Sequence, residues 1–424
     1  MTSSSLVRTK RFWELTTQYC SKERSVLLVD ESLFAVHKGQ ALTMDDNFLV
    51  LENASAIEIV ITKGTIKKIF KECQPFFKRY LENGQIIDNE QAMKDLFYVT
   101  IGYLLITNEN NTILNIHEDI IFDLIETQLS KLIIIPGEDT RIEDKNSFLI
   151  KEVLFLQSLL TSNIPKINKS SSLWYLFKKL QLITLDRRLL ILDSPSYEFI
   201  FFQSALTSAK RHTNNYYSWQ FVKGLINTSK VLTGCKFILS STDTIEAYAK
   251  SHLNESAAWD CFIDLITLNM DALRLTLYEN GKYSTRIKYE LSDERLAVVV
   301  PPLTKYLLEL NRWLWDNTIA QLVPYENFKK LMLYAYYKWN EKELVRSLVE
   351  SLSVHVHIFE ELHLKKRGLG GIIVQNGWYS INNENVLDLV ENEDMIFQQK
   401  FKAYLNWLRL EVFFRKVMKI KLYA

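Results

Sequence analysis

Glycine and proline are scarce in this chain of 424 residues, with 12 and 7 copies. Turn-rich all-β architectures draw heavily on both, so their scarcity favours long helices with short connections. Cysteine is also sparse. Cys20, Cys73, Cys235 and Cys261 form no Cys-x-x-Cys pair, which disfavours a disulfide framework or a clustered zinc site and suits reduced thiols in a cytoplasmic setting. An excess of either charge is missing as well. The net charge of +1 gives no bulk attraction to nucleic acid or to an anionic membrane. No apolar run approaches the roughly 20 residues that span a bilayer, and stretches such as Leu132–Ile135 and Ala297–Val300 fall far short. The first residues, MTSSSLVRTKRFWEL, lack the apolar core of a secretory leader, and the final KIKLYA lacks a prenylation cysteine.

What remains is an ordinary globular composition, 47 % hydrophobic and 24 % charged, with an aromatic content of 12 %. Residues 1–45 carry short apolar runs broken by Gly and Asp, and read as an N-terminal arm with short strands. From Ile57 the pattern reads as helical. Amphipathic or apolar-faced helices are expected at 65–81 (kinked or interrupted by Pro75), 89–108, 115–129, 148–160, 171–182, 196–211, 243–252, 255–268, 304–322, 325–339, 341–352, 384–389 and 395–419. Residues 277–302 read as a partly extended insertion. The expected division is an arm at 1–45, helical repeats at 46–345 and capping helices at 346–424.

Tyr197–Thr228 is the clearest unit, a helical hairpin that opens on Ser194-Pro195 and breaks at Asn214-Asn215. Its second helix carries Trp219, Val222, Leu225 and Ile226 on one face. Weaker copies surround it. Tryptophan opens a helix in SSSLW at Trp174, NYYSW at Trp219 and ESAAW at Trp259, at intervals of 45 and 40 residues. Leu114 and Leu331 take that slot in an upstream and a downstream copy. A repeated αα-hairpin predicts an all-α fold, an α-α superhelix forming a crescent solenoid of about five hairpins, with each Trp wedged between neighbours. The 34-residue period of TPR arrays fits these intervals poorly.

The pattern Asn215-Tyr216-Tyr217-Ser218-Trp219 resembles the repeat of protein prenyltransferase α subunits. Ser256–Trp259 and Ser171–Trp174 resemble it more weakly. LVLEN at Leu49–Asn53, Leu96–Ile121 and FKAYLNWL at Phe401–Leu408 extend the similarity to the protein prenyltransferase α-subunit repeat-containing family. The chain would be a diverged member, because the Arg three residues after each Trp is replaced by His117, Phe177, Val222, Phe262 and Tyr334. The resemblance implies the α-like subunit of a heterodimeric, type III-like geranylgeranyltransferase, not catalytic alone, that docks a protein substrate such as a SNARE. It implies a β subunit as partner, which would hold the zinc, so that no cofactor binds in this chain. Asn214 then stands where the family has a diphosphate-neutralising Lys. Lys210, Arg211 and His212 are nearby cations that could substitute, and Tyr216 and Tyr217 would contact the substrate.

The competing expectation is a non-enzymatic helical-repeat scaffold or protein-interaction module. No nucleophile elbow, paired-carboxylate motif or dinucleotide fingerprint is present. His355, His357 and His363 lie in a helical pattern in which i and i+2 do not share a face, which argues against a metal site. Lys365–Gly371 is basic and glycine-rich but lacks the Gly-Lys-Ser/Thr of a phosphate loop.

Overall fold

The computed structural model describes residues 6–18, 22–52, 56–84, 89–129, 148–186, 197–233, 236–267, 303–337, 340–367, 390–391 and 393–418, together with four short segments between 272 and 292 that form two pairs. Most described residues are helical, and several boundaries agree with the hydrophobic periodicity to within one or two residues. The insertion expected at 277–302 and the helix expected at 384–389 lie largely or wholly outside the described residues. The chain divides into two compact units, residues 1–237 with 270–296, and residues 238–269 with 297–424.

The amino-terminal region corrects the all-α reading, while the short strands expected in residues 1–45 are present. It opens with a helix, α1 (Val7–Thr17), whose Phe12 and Trp13 are buried. A four-stranded mixed sheet follows, from β1 (Glu23–Val29), β2 (Thr43–Met44), β3 (Leu49–Glu52) and β4 (Ala56–Thr62), in the order β1-β4-β3-β2. β1 and β4 are parallel and the other pairs antiparallel. The segment from Ile57 is therefore strand where helix was expected. β4 is central, and Ile59, Val60 and Ile61 are all buried, so it shows a continuous apolar run instead of alternation. Such a run carries no period by which to tell a strand from a buried helix. A short helix, α2 (Glu31–His37), capped by Asp30, places Phe34 against Leu49 and Val60.

The helices of this unit are α3 (Lys63–Glu82), α4 (Glu90–Thr107), α5 (Asn111–Leu129), α6 (Phe148–Leu160), the one-turn α7 (Pro165–Asn168), α8 (Ser171–Asp186), α9 (Ser204–Arg211, preceded by a π-helical stretch at Glu198–Gln203) and α10 (Tyr216–Thr233). α3 runs through Pro75, which lies on its exposed side. α4 approaches α3 closely at Gly102, where an added Cβ would fall 2.4 Å from Cys73 Sγ. Burial pushes that thiol up to about 11, which suits a packing residue and not a nucleophile.

α6 is the axis of the unit. It packs on α1, β1, α5, α8 and α9, and every residue from Leu149 to Leu160 except Lys151 is fully buried. Its follow-on residues also close the outer edge of the sheet. The Asn163 side-chain amide accepts from Leu28 N (2.7 Å) and donates to Leu28 O (3.0 Å), while Asn163 N donates to Val26 O. One asparagine thus stands in for a neighbouring strand and satisfies an edge that would otherwise invite pairing.

The second unit contains α11 (Lys236–Ser251, nearly all of it in this unit), α12 (Ser256–Thr267), α13 (Leu303–Asp316), α14 (Leu322–Tyr337), α15 (Lys342–Phe359) and α16 (Met395–Val417). α14 packs on α12, α13, α15 and α16. Aromatic rings lock these layers: Trp259 lies against Trp313, Tyr325 meets Trp407 edge-on at 5.2 Å, and Phe359 stacks on Tyr404 at 4.9 Å.

Candidate functional site

The repeat is visible as a recurring helix start. Leu114, Trp174, Trp219 and Trp259 are each the fourth residue of their helix, and all are buried. In the downstream copy the fourth residue of α14 is Tyr325, not Leu331 as the alignment expected. Two of the wedges bind their own turn in the same way. Trp174 Nε1 donates to the carbonyl of Asn168 (2.8 Å), and Tyr325 Oη to that of Ile319 (2.9 Å), six residues back in both cases. The hydrogen bond ties a large ring to the chain reversal before it, so helix and turn pack as one body.

Three residues after the wedge stand His117, Phe177, Val222, Phe262 and, in the corrected register, Phe328. All five are buried, which explains why the slot tolerates no arginine: a guanidinium there would need several buried partners. Only His117 is polar, and it lies at the centre of the best-formed constellation of chemical groups among the described residues. Thr100 Oγ1 donates to Phe97 O (2.7 Å) and so meets His117 Nδ1 (2.7 Å) as an acceptor. His117 Nε2 lies 3.0 Å from Glu152 Oε1, with one proton held between them. Phe97 stacks on the imidazole, 5.5 Å away and nearly parallel. Thr, His and Glu in this order have the composition of a nucleophile relay. All three are 0 % exposed, so no substrate atom reaches the hydroxyl. The relay instead registers α4, α5 and α6 against one another. Glu152 Oε2 has no hydrogen-bond partner among the described residues.

A polar ladder joins the turns of successive hairpins. Asn108 donates to Lys166 O (2.7 Å), and Glu109 accepts from the hydroxyls of Ser171 and Ser172 at the start of α8. These bonds outweigh burial and hold the Glu109 carboxyl below its ordinary value. Asn215 Nδ2 then reaches Asn168 Oδ1 (2.7 Å) and Ser208 Oγ (2.9 Å), while Asn215 Oδ1 caps α10 at Ser218 N.

The residues singled out around the third hairpin fall into three groups. Asn214 has φ +59°, the left-handed conformation that reverses the chain before α10. Arg211 forms an ion pair with Glu58 of β4 at 2.9 Å, and with Lys210 it lies near Glu23 of β1. Burial raises the Glu23 carboxyl, and the Thr207 hydroxyl and these two cations oppose that rise. Arg211 thus balances a carboxylate of the sheet. His212 is held below its ordinary value by burial. Tyr216 and Tyr217 are exposed, at 56 % and 39 %, and meet edge-on at 5.5 Å. Trp174, Trp219 and Trp259 are buried. In the second unit His355 stacks on Trp315 at 4.0 Å, and no group of metal-ligating side chains is present among the described residues. Of the basic glycine-rich stretch, Lys365–Arg367 forms a helical turn, and Gly368–Gly371 lies outside the described residues.

These features define a predominantly helical protein whose hairpins are registered by buried wedges and polar turns, with a small sheet clamped at its amino-terminal end. Residues 2–161 match the family model described as the ECM9 N-terminal domain, and residues 173–291 match that of the ECM9 middle domain. With these two models in order along more than half of its length, the chain belongs to the ECM9 family. It is 25 % identical over 324 residues to Protein ECM9 of Saccharomyces cerevisiae, covering 76 % of this chain and 77 % of that protein. The prenyltransferase resemblance is thereby corrected. Both matched models belong to ECM9, and no prenyltransferase family matches. The geranylgeranyltransferase function, the zinc-bearing β subunit and the SNARE substrate lose their basis with it. Tyr-x-x-Trp at a helix start is a packing solution available to any stacked hairpin, so it carried the fold further than the chemistry.

Proposed function

We propose that this protein works by binding other proteins, through a superhelical stack of αα-hairpins that presents Tyr216 and Tyr217 to a partner. The observation that carries the reading is the contrast at the start of α10. Two adjacent tyrosines stand exposed on a turn whose other residues are fixed, Asn214 by its left-handed backbone and Asn215 by bonds to Asn168 and Ser208. Tyrosines on a rigid support lose little conformational entropy on contact and supply both apolar area and a hydroxyl. The sealed Thr100–His117–Glu152 relay favours binding over catalysis. Cys73 is buried and forms no disulfide among the described residues, which suits a reducing, cytoplasmic setting.

A photoreactive amino acid at position 217 tests this in cells. Discrete protein adducts are expected, absent when the same probe occupies exposed position 82. Equal labelling at the two positions rules the reading out.

A further inference from the structure

The net charge of +1 conceals a local concentration. α3 carries Lys63, Lys67, Lys68, Lys71, Lys78 and Arg79, all of them exposed. At 100° per residue, Lys63, Lys67, Lys71 and Lys78 fall within an arc of about 80°, and the line from first to last is about 22 Å long. Lys68 and Arg79 lie together on one side of the line. The opposite face buries Thr65, Ile69 and Cys73. Acids offset little of this charge. Glu72 is turned away and bound to Arg8 at 2.5 Å, and among the described residues only Lys78 of the six forms an ion pair, with Glu82 at 3.6 Å. Lys68 donates to Asn47 Oδ1, next to the exposed Asp45 and Asp46.

Half-buried aromatic rings border the cations. Phe70 and Phe77 pack on Tyr103 of α4, with centroids 4.9 and 4.8 Å apart, and Arg79 lies over Phe76 at 5.7 Å. Phe70 meets Tyr103 edge-on and Phe77 meets it tilted, and all three rings are half-buried. Half-buried rings make a poor platform for stacking nucleobases. Five of the six cations are lysines, flexible point charges, where nucleic-acid recognition favours the fixed fork of arginine. A straight row of lysines edged with aromatics matches a flat, laterally mobile array of phosphate and carboxylate headgroups. Such an array adapts to any charge spacing, and amphipathic rings settle at its headgroup level.

We infer that the exposed face of α3 docks the protein on the surface of an anionic lipid bilayer, through Lys63, Lys67, Lys71 and Lys78 and without insertion of a helix. This surface is separate from the start of α10, so it stands or falls independently of the protein-binding reading.

The test is co-sedimentation of the full chain with lipid vesicles in about 0.1 M salt. Binding to phosphatidylcholine vesicles containing about 30 % phosphatidylserine is expected to exceed binding to phosphatidylcholine alone by roughly tenfold, and to collapse in about 0.5 M salt. The variant K63E/K67E/K71E/K78E is expected to lose roughly tenfold in binding with unchanged circular dichroism and Tm, and the control K342E/K366E to keep it. Equal binding to both vesicle types overturns the inference, as does a quadruple variant that binds like the parent. So does single-stranded RNA that displaces the protein from vesicles and whose own binding depends on the same four lysines, because the face would then be a nucleic-acid surface.

Discussion

Helices α3 and α6 belong to the same unit and differ in nearly every respect. α6 is enclosed, and its buried polar residues each find a partner inside the protein: Glu152 Oε1 with His117, Gln157 with Ser204 at 2.7 Å, and Ser158 with Thr16 O at 3.2 Å. α3 buries one narrow face and turns six cations outward. The difference lies in the cost of desolvation. Where helices meet, each polar group needs a partner placed by another element, so its identity is constrained. Where a face stays in water, charge costs little and can be selected for what it attracts.

The largest expected effect is at the relay. His117→Ala leaves Glu152 buried without a partner and should lower stability by about 3–5 kcal/mol, read from denaturant midpoints. The double variant His117→Leu/Glu152→Leu removes both polar groups and should recover much of that loss. A double variant as unstable as the single one would mean that packing, not pairing, dominates at this position.

Asn214 comes next. Asn214→Val forces a β-branched residue into a left-handed turn and should cost about 1–2 kcal/mol, whereas Asn214→Gly should be close to neutral. Equal costs would move the importance of this residue from its backbone to its side chain. Tyr325→Phe removes the bond to Ile319 O and should cost about 1 kcal/mol by orphaning a buried carbonyl. A neutral result would leave ring packing as the whole of the wedge.

Acidification gives a smaller effect with a definite sign. Burial holds both His212 and His355 below 6.5, their ordinary value. The unfolded chain therefore takes up protons that the folded chain does not. Stability is complete above about pH 6.5 and falls as the pH drops through that value. Tm should be lower at pH 5.5 than at pH 7.5, and His212→Asn should shrink the drop. A Tm that rises on acidification refutes this. The smallest effect is expected at α3, where reversing the four lysines should change stability by less than about 0.5 kcal/mol. A large loss would show that the basic face is part of the fold after all.

Much of the helical layout was legible because amphipathic periodicity records which face is buried. Phe148–Leu160 and the start of α8 at Ser171 agree with it. The burial of Trp174, Trp219 and Trp259 follows from the same signal, since a large ring at a helix start has few uses besides packing. β4 was misread as helix because its run Ile59–Ile61 is apolar on both faces, whereas short strands were expected before it and are present. α1 was missed because TKRFWELTT, short and polar on one side, sits among strand-like runs. The relay was invisible, since Thr100, His117 and Glu152 are 17 and 35 residues apart and each looks ordinary alone. The role of Asn163 was hidden in the same way, 135 residues from the strand it completes.

The sequence by itself determined that this protein is mainly helical, that its helices pair through large rings, and that α3 has a basic face, because these are local periodicities written in neighbouring residues. Only the tertiary structure decided which polar residues meet. It turned Arg211 into the partner of a sheet carboxylate, made Asn214 a turn residue, and closed the relay away from solvent. Pairings across tens of residues leave no period in the chain, since they depend on which faces the packed helices and strands bring together.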